Sequence, residues 1–184
     1  MRQNPAPQQF LQPFLRLQPS LHWSRRRQII LGLLACLLLN LIGLLFGPPA
    51  LATDYNRAFL VGKDFSHQVL TDDEFTKANL RGANFSGSDL QGVRFFGTNL
   101  EDANLEGANL SYATLDSARL VNANLKNAVL EGAFAANVQF GGAEIEGADF
   151  TDVLLRDDTQ EMLCRKATGT NPTTGRDTYD SLGC

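Results

Sequence analysis

The chain has 184 residues and carries 16 Lys and Arg against 20 Asp and Glu, a formal charge of −4. Residues 1–52 hold Arg2, Arg16, Arg25, Arg26 and Arg27 and no acid, so residues 53–184 hold 11 bases against 20 acids, a formal −9. An acidic body of this kind repels phosphate backbones and argues against nucleic-acid binding.

The first element reads as an export signal. Arg25-Arg26-Arg27 precede an uncharged Leu-rich run from Ile29 to Phe46, then Pro48-Pro49 and Ala50-Leu51-Ala52. Ala50 and Ala52 stand at the two positions that a signal peptidase inspects, which predicts a signal peptide over residues 1–52 cleaved after Ala52. The alternative is a retained anchor, since an apolar run of this length is just enough to span a bilayer. Membrane contact is expected only through this segment. Export also removes Cys36 and leaves Cys164 and Cys184, an even number in a compartment where disulfides persist. The two are expected to be joined, the alternative being two unpaired thiols.

From residue 58 to residue 157 the chain repeats every five residues without an insertion. The unit centres are large and apolar from Leu60 and Phe65 to Phe150 and Leu155, and only Ala135 fails. A period of five is neither 3.6 nor 2, so these side chains line one interior only if the backbone turns a corner in every unit. The residue two before the centre is usually Ala, as at Ala78, Ala103 and Ala123, which calls for a narrow interior. Lys63, Gln68 and Asp73 break that rule in the first coil and suggest an end cap. Two after the centre stands Gly, as at Gly82 and Gly107, where a corner needs a conformation costly for residues with a Cβ. One before it stands Asn or Asp, whose short side chain readily bonds a turn.

Units such as Ala78-Asn79-Leu80-Arg81-Gly82 and Ala103-Asn104-Leu105-Glu106-Gly107 resemble the pentapeptide-repeat family. The resemblance implies an all-β solenoid, a right-handed quadrilateral β-helix with four units to a coil. Residues 53–157 are assigned to it, in about five coils. Stacking then makes residues one coil apart neighbours. Asn84, Asn104 and Asn124 are expected to form an amide ladder, and Lys126 to lie between Glu106 and Glu146.

Residues 158–184 are predicted to close the last coil as a small helical cap containing the disulfide. Asp158-Thr159-Gln160-Glu161 reads as a helix start with an Asp cap, and Met162 and Leu163 would cover the core. A second helical turn is expected near Asp177 to Leu182, closed by Gly183. The stretch from Leu163 to Thr178 and the ending Ser181-Leu182-Gly183-Cys184 resemble the tails of lumenal pentapeptide-repeat proteins of cyanobacteria and plastids. That resemblance implies a thylakoid lumen or periplasm, and a leader without a Ser-rich transit segment favours a cyanobacterial source.

No catalytic residues, cofactor site or metal site are assigned. His67 is the single histidine after the leader, and neither a common zinc set nor a Cys/His nucleophile can be assembled around it. Glu144, Glu146, Asp149, Asp152, Asp157 and Asp158 match no calcium loop and read as a solvated acidic face. The irregular unit is Ala133-Phe134-Ala135-Ala136. Phe134 is expected to turn inward and fill the space that Ala135 leaves. The alternative keeps it outside beside Leu154, with Phe96 nearby, as a patch for an unidentified protein partner. The function expected is a non-enzymatic scaffold or interaction module. The second reading, permitted by the family and the charge, is an acidic DNA mimic that binds a topoisomerase.

Overall fold

The computed structural model describes residues 52–184. The leader, with Ala50, lies outside the described residues; Ala52 is the first of them and is exposed.

From Asp54 onward the backbone makes one bridging residue and one tight turn in every five. Each bridging residue pairs in parallel with the residue 20 positions later, from Asp54 with Glu74 to Phe134 with Leu154. Four bridging residues pass before a column is met again, so the chain winds as a four-sided solenoid. Hydrogen bonds run in both directions between neighbouring coils. Leu105 N–H donates to Asn124 O at 2.7 Å, and Asn124 N–H donates to Ala103 O at 2.9 Å. Corners on both sides of each bridging residue from Phe59 to Asp149 keep each side short.

The corners are less dependent on glycine than expected. Positive φ is found at nine glycine corners and at ten residues with a Cβ, among them Arg57, Lys77, Tyr112 and Asn127. A type II turn demands this of its third residue. The cost of about 1 kcal/mol for a side chain there is outweighed by closing the ladder. Asn137 departs from the set: it is not left-handed, and its backbone N–H donates to the Asp116 carboxylate at 3.1 Å.

The repeat begins one unit earlier than its sequence pattern. Asp54 bridges to Glu74, Asn56 and Arg57 make a corner, and Tyr55 stacks on Phe75 with ring centroids 4.7 Å apart. Tyr55 stands five residues before Leu60, and that spacing alone marks it as a centre. Aromatic stacks continue upward, Phe65 on Phe85 at 4.9 Å and Phe75 on Phe95 at 5.2 Å. Above them the interior is mainly leucine, with alanines completing most inward pairs.

Phe134 does not turn inward; it is 54% exposed. Ala133 and Ala135 are both fully buried, and neighbours along an extended chain point to opposite faces. Burying Phe134 would expel both alanines and break its bridges to Thr114 and Leu154. The volume that Ala135 lacks is offset by larger neighbours: Val138 stands where other units carry Ala, and Phe140 packs edge-on to Phe150.

Two helices follow, α1 at Asp157–Cys164 and α2 at Thr178–Ser181. The last unit, centred on Leu155, enters α1 without making a corner. Asp158 is not the cap of α1. The helix starts after Arg156, without a side-chain cap, and the Asp158 carboxylate accepts from Thr159 N–H at 2.8 Å. Leu163 is buried, while Met162 packs at the margin. At α2 the expected arrangement is present: Asp177 accepts from Tyr179 N–H at 2.9 Å, and Gly183 takes φ 72° after the helix.

Candidate interaction surface

The faces of the solenoid are built by short polar side chains acting on their own backbone. Asn104 Oδ1 accepts from Glu106 N–H at 3.2 Å, and the same bond recurs at Asn84, Asn109 and Asn124. The amide hydrogens left over point along the column. Asn124 Nδ2 donates to Asn104 at 3.1 Å, Asn104 to Asn84 at 3.2 Å and Asn84 to Asp64 at 3.1 Å. Each amide therefore serves a turn and a register at once. In the adjacent column the ion pair formed is Lys126 with Glu144, at 2.9 Å. Glu106 and Glu146 act on the lysine at longer range, and together these acids raise its pKa, the Glu144 hydrogen bond first.

One face carries two exposed apolar side chains as bridged neighbours. Its bridging column reads Asp54, Glu74, Arg94, Thr114, Phe134 and Leu154. Arg94 pairs with Glu74 at 2.6 Å in its lower part. In its upper part Phe134 and Leu154 are direct neighbours, and Leu154 is 49% exposed. Phe96 is exposed on the same face, but it lies in the neighbouring column below Asp116, separated from the pair. Of the three residues singled out in the sequence, two are brought together.

Leu154 also edges an open cleft of about 370 Å³ between the last unit and α2, lined by Val153, Leu155, Gln160, Ser181 and Gly183. The segment around α2 is fixed by single, specific contacts. Cys164 and Cys184 are bonded, with Cα atoms 5.8 Å apart. The Asn171 amide donates to Asn127 O, Ala128 O and Gly147 O at 3.1, 3.1 and 2.8 Å. Arg176 reaches Glu131 at 2.8 Å and the fully buried Asp149 at 3.2 Å. Ser181 Oγ accepts from Phe150 N–H at 3.0 Å, and Lys166 donates to Ala143 O. No sequence pattern marks these roles for Asn171 and Arg176, since neither lies in the repeat.

Among the described residues no group of three His, Cys, Asp or Glu side chains is placed to hold a metal ion. His67 is an exposed corner residue whose ring lies over Gly87. What the geometry offers is a ladder-patterned surface on which Phe134 and Leu154 form a bridged apolar pair.

The family model described as pentapeptide repeats, 8 copies, matches residues 56–87, 88–127 and 118–157. The chain belongs to the pentapeptide-repeat family, whose fold is a right-handed quadrilateral β-helix. It is similar to a pentapeptide-repeat protein of the Arabidopsis thaliana thylakoid lumen solved at 1.7 Å. The two are 48% identical with a TM-score of 0.67, over 68% of this chain and 87% of the other. It is also 59% identical over 44 residues to thylakoid lumenal protein TL20.3 and 58% identical over 45 residues to thylakoid lumenal 15 kDa protein 1, both chloroplastic proteins of Arabidopsis thaliana. Those matches span 24% of this chain, and 16% and 20% of the two relatives.

Proposed function

We propose that the protein is a non-enzymatic, exported pentapeptide-repeat scaffold that docks a protein partner in the thylakoid lumen. The periplasm is the other compartment open to an exported cyanobacterial chain. In this reading about five coils form a rigid rod, the segment 158–184 caps its last coil, and the leader ends at Ala52. The observation that carries the interaction reading is that the exposed Phe134 and Leu154 are bridged neighbours in one column, whereas the exposed Phe59 and Val69 bridge to the polar Asn79 and Asp89. An apolar pair held outward by the backbone gains by being covered. The similarity to lumenal relatives supports the compartment.

The test combines fractionation with site-directed crosslinking. The full chain is expressed with its own leader, carrying a photoreactive residue at Phe134 or, as a control, at Asn104. A discrete adduct from position 134 in the lumenal fraction, absent from position 104, is expected. Identical adducts from both positions, or none, would sink the docking reading. Cytoplasmic residence would sink the lumenal one and revive the acidic DNA mimic.

A further inference from the structure

We propose that Asp73 is the acceptor site for the α-ammonium group that removal of the leader creates on Thr53. The inference rests on the reading of residues 1–52 as a cleaved leader.

Asp73 occupies an inward position where most units carry alanine, and it is only 4% exposed. The same positions one, two and three coils above hold Val93, Ala113 and Ala133, all buried and apolar. Among the described residues its carboxylate accepts one hydrogen bond, from the backbone nitrogen of Thr53 at 2.6 Å. Among the described residues no Lys, Arg or His pairs with it, and Glu74 beside it is engaged by Arg94. Burial raises its pKa, and the neighbouring Asp72 adds to the rise against the Thr53 hydrogen bond. A buried carboxylate with one neutral donor is costly, and a cation at the donor's position removes the cost.

The backbone delivers the Thr53 nitrogen to that carboxylate. Thr53 O accepts from Glu74 N–H at 3.0 Å, and Tyr55 N–H donates to Glu74 O at 2.7 Å. Thr53 is therefore seated by the pairing of Asp54 with Glu74. In the uncut chain its nitrogen is an amide with one hydrogen. Hydrolysis of the bond between Ala52 and Thr53 adds one water across it, leaving a carboxylate on Ala52 and an amine on Thr53. The amine takes up a proton near neutral pH and becomes an ammonium with three donors, already in contact with Asp73. Processing thus supplies the counter-ion that the buried acid lacks and fastens the first coil.

The test uses the full chain expressed with its own leader and purified after export, as wild type, Asp73→Ala and Asp73→Asn. Intact mass identifies the first residue, and mass spectrometry follows acylation of its amine by an activated ester at neutral pH. The expected result is a protein beginning at Thr53 whose amine reacts about tenfold more slowly than in D73A, the effect of a rise of about one unit in the amine pKa. D73A places at this position the residue that Ala113 and Ala133 already are, which keeps the fold available. D73N keeps an acceptor without charge, and protection equal to wild type in D73N would overturn the ion pair. Equal reactivity in wild type and D73A would overturn it as well, with the cleavage reading intact. A first residue other than Thr53, or an uncut chain, would overturn both.

Discussion

The two ends of the solenoid each bury an aspartate, and they treat it in opposite ways. Asp149, in the last coil, accepts from Thr151 Oγ1 at 2.6 Å and from Arg176 at 3.2 Å. Burial opposes its charge, but the hydrogen bonds from Thr151, Thr174 and Arg176 outweigh burial and hold its pKa below the ordinary range. Asp73, near the first coil, has one backbone donor and a raised pKa. The contrast teaches where the fold spends sequence. Repeated positions need only the right size and polarity, while an end needs particular residues, because no next coil supplies partners. At the C-terminal end those residues are present as Asn171, Arg176, Ser181 and the disulfide; at the N-terminal end the described residues offer Asp73 no cation.

The largest expected effect is at the disulfide. Replacing Cys164 and Cys184 by Ser removes a closure spanning 20 residues, worth about 3 kcal/mol. Hydrogen exchange is expected to accelerate first across 165–184 while Leu105 to Leu125 stay protected. Simultaneous loss in both regions would show that tail and body unfold as one unit and that the end is not a separate device.

Asn171 and Asn104 compare one residue type in the two settings. Asn171→Ala takes the partner from the carbonyls of Asn127 and Gly147, while Ala128 O still accepts from Asp149 N–H, and is expected to cost about 1–3 kcal/mol. Asn104→Ala removes one rung of a half-exposed ladder, for about 0.2–1 kcal/mol. Thermal unfolding of the two variants side by side decides the matter, and a reversed order would mean that the ladder governs stability.

Acid separates the two aspartates by sign. Asp149 has a lowered folded pKa, so its contribution is present above the unfolded value of about 3.9 and is lost as pH falls through the folded value. Asp149→Asn is therefore expected to flatten the fall in Tm below about pH 4. Asp73, with an amide at Thr53, has a raised folded pKa, so the protonated form is favoured and stability is lost as pH rises through that value. An acid profile of Asp149→Asn that keeps the wild-type slope would remove the carboxylate from the account.

The repeat body was legible because a period of five admits one kind of solution. Each centre, each small neighbour and each turn residue restates it, so the register of 20 and the ladder through Asn84, Asn104 and Asn124 follow from spacing. Errors fall where a residue carries no repetition. The unit centred on Tyr55 escaped notice because Thr53 and Arg57 lack the usual Ala and Gly. The Asp158 expectation fails because the last unit runs straight into α1 and moves the helix start back by two residues. Lys126 chose Glu144 over the acids in its own column, a choice of side-chain reach that column bookkeeping cannot make. Arg176 and Asn171 lie in a segment without periodicity, and only their contacts reveal what they do.

The smallest stability effect, and the one that bears most on function, is expected at Phe134. Truncating a buried aromatic costs about 3–5 kcal/mol, and Phe150 in the same coil, only 2% exposed, is expected to behave that way when changed to Ala. Phe134 is held outward by its buried neighbours Ala133 and Ala135, so its removal opens no cavity. Phe134→Thr copies Thr114, the residue one coil below in the same column, and keeps a β-branched side chain suited to a strand. What is lost is the cross-strand contact with Leu154, about 0.2–1 kcal/mol. The expected outcome is a Tm close to wild type together with loss of the crosslink from a photoreactive residue at Leu154. A large drop in Tm would return Phe134 to a packing role and leave the apolar pair as part of the fold; an unchanged Tm with an unchanged crosslink would move the docking surface elsewhere on the rod.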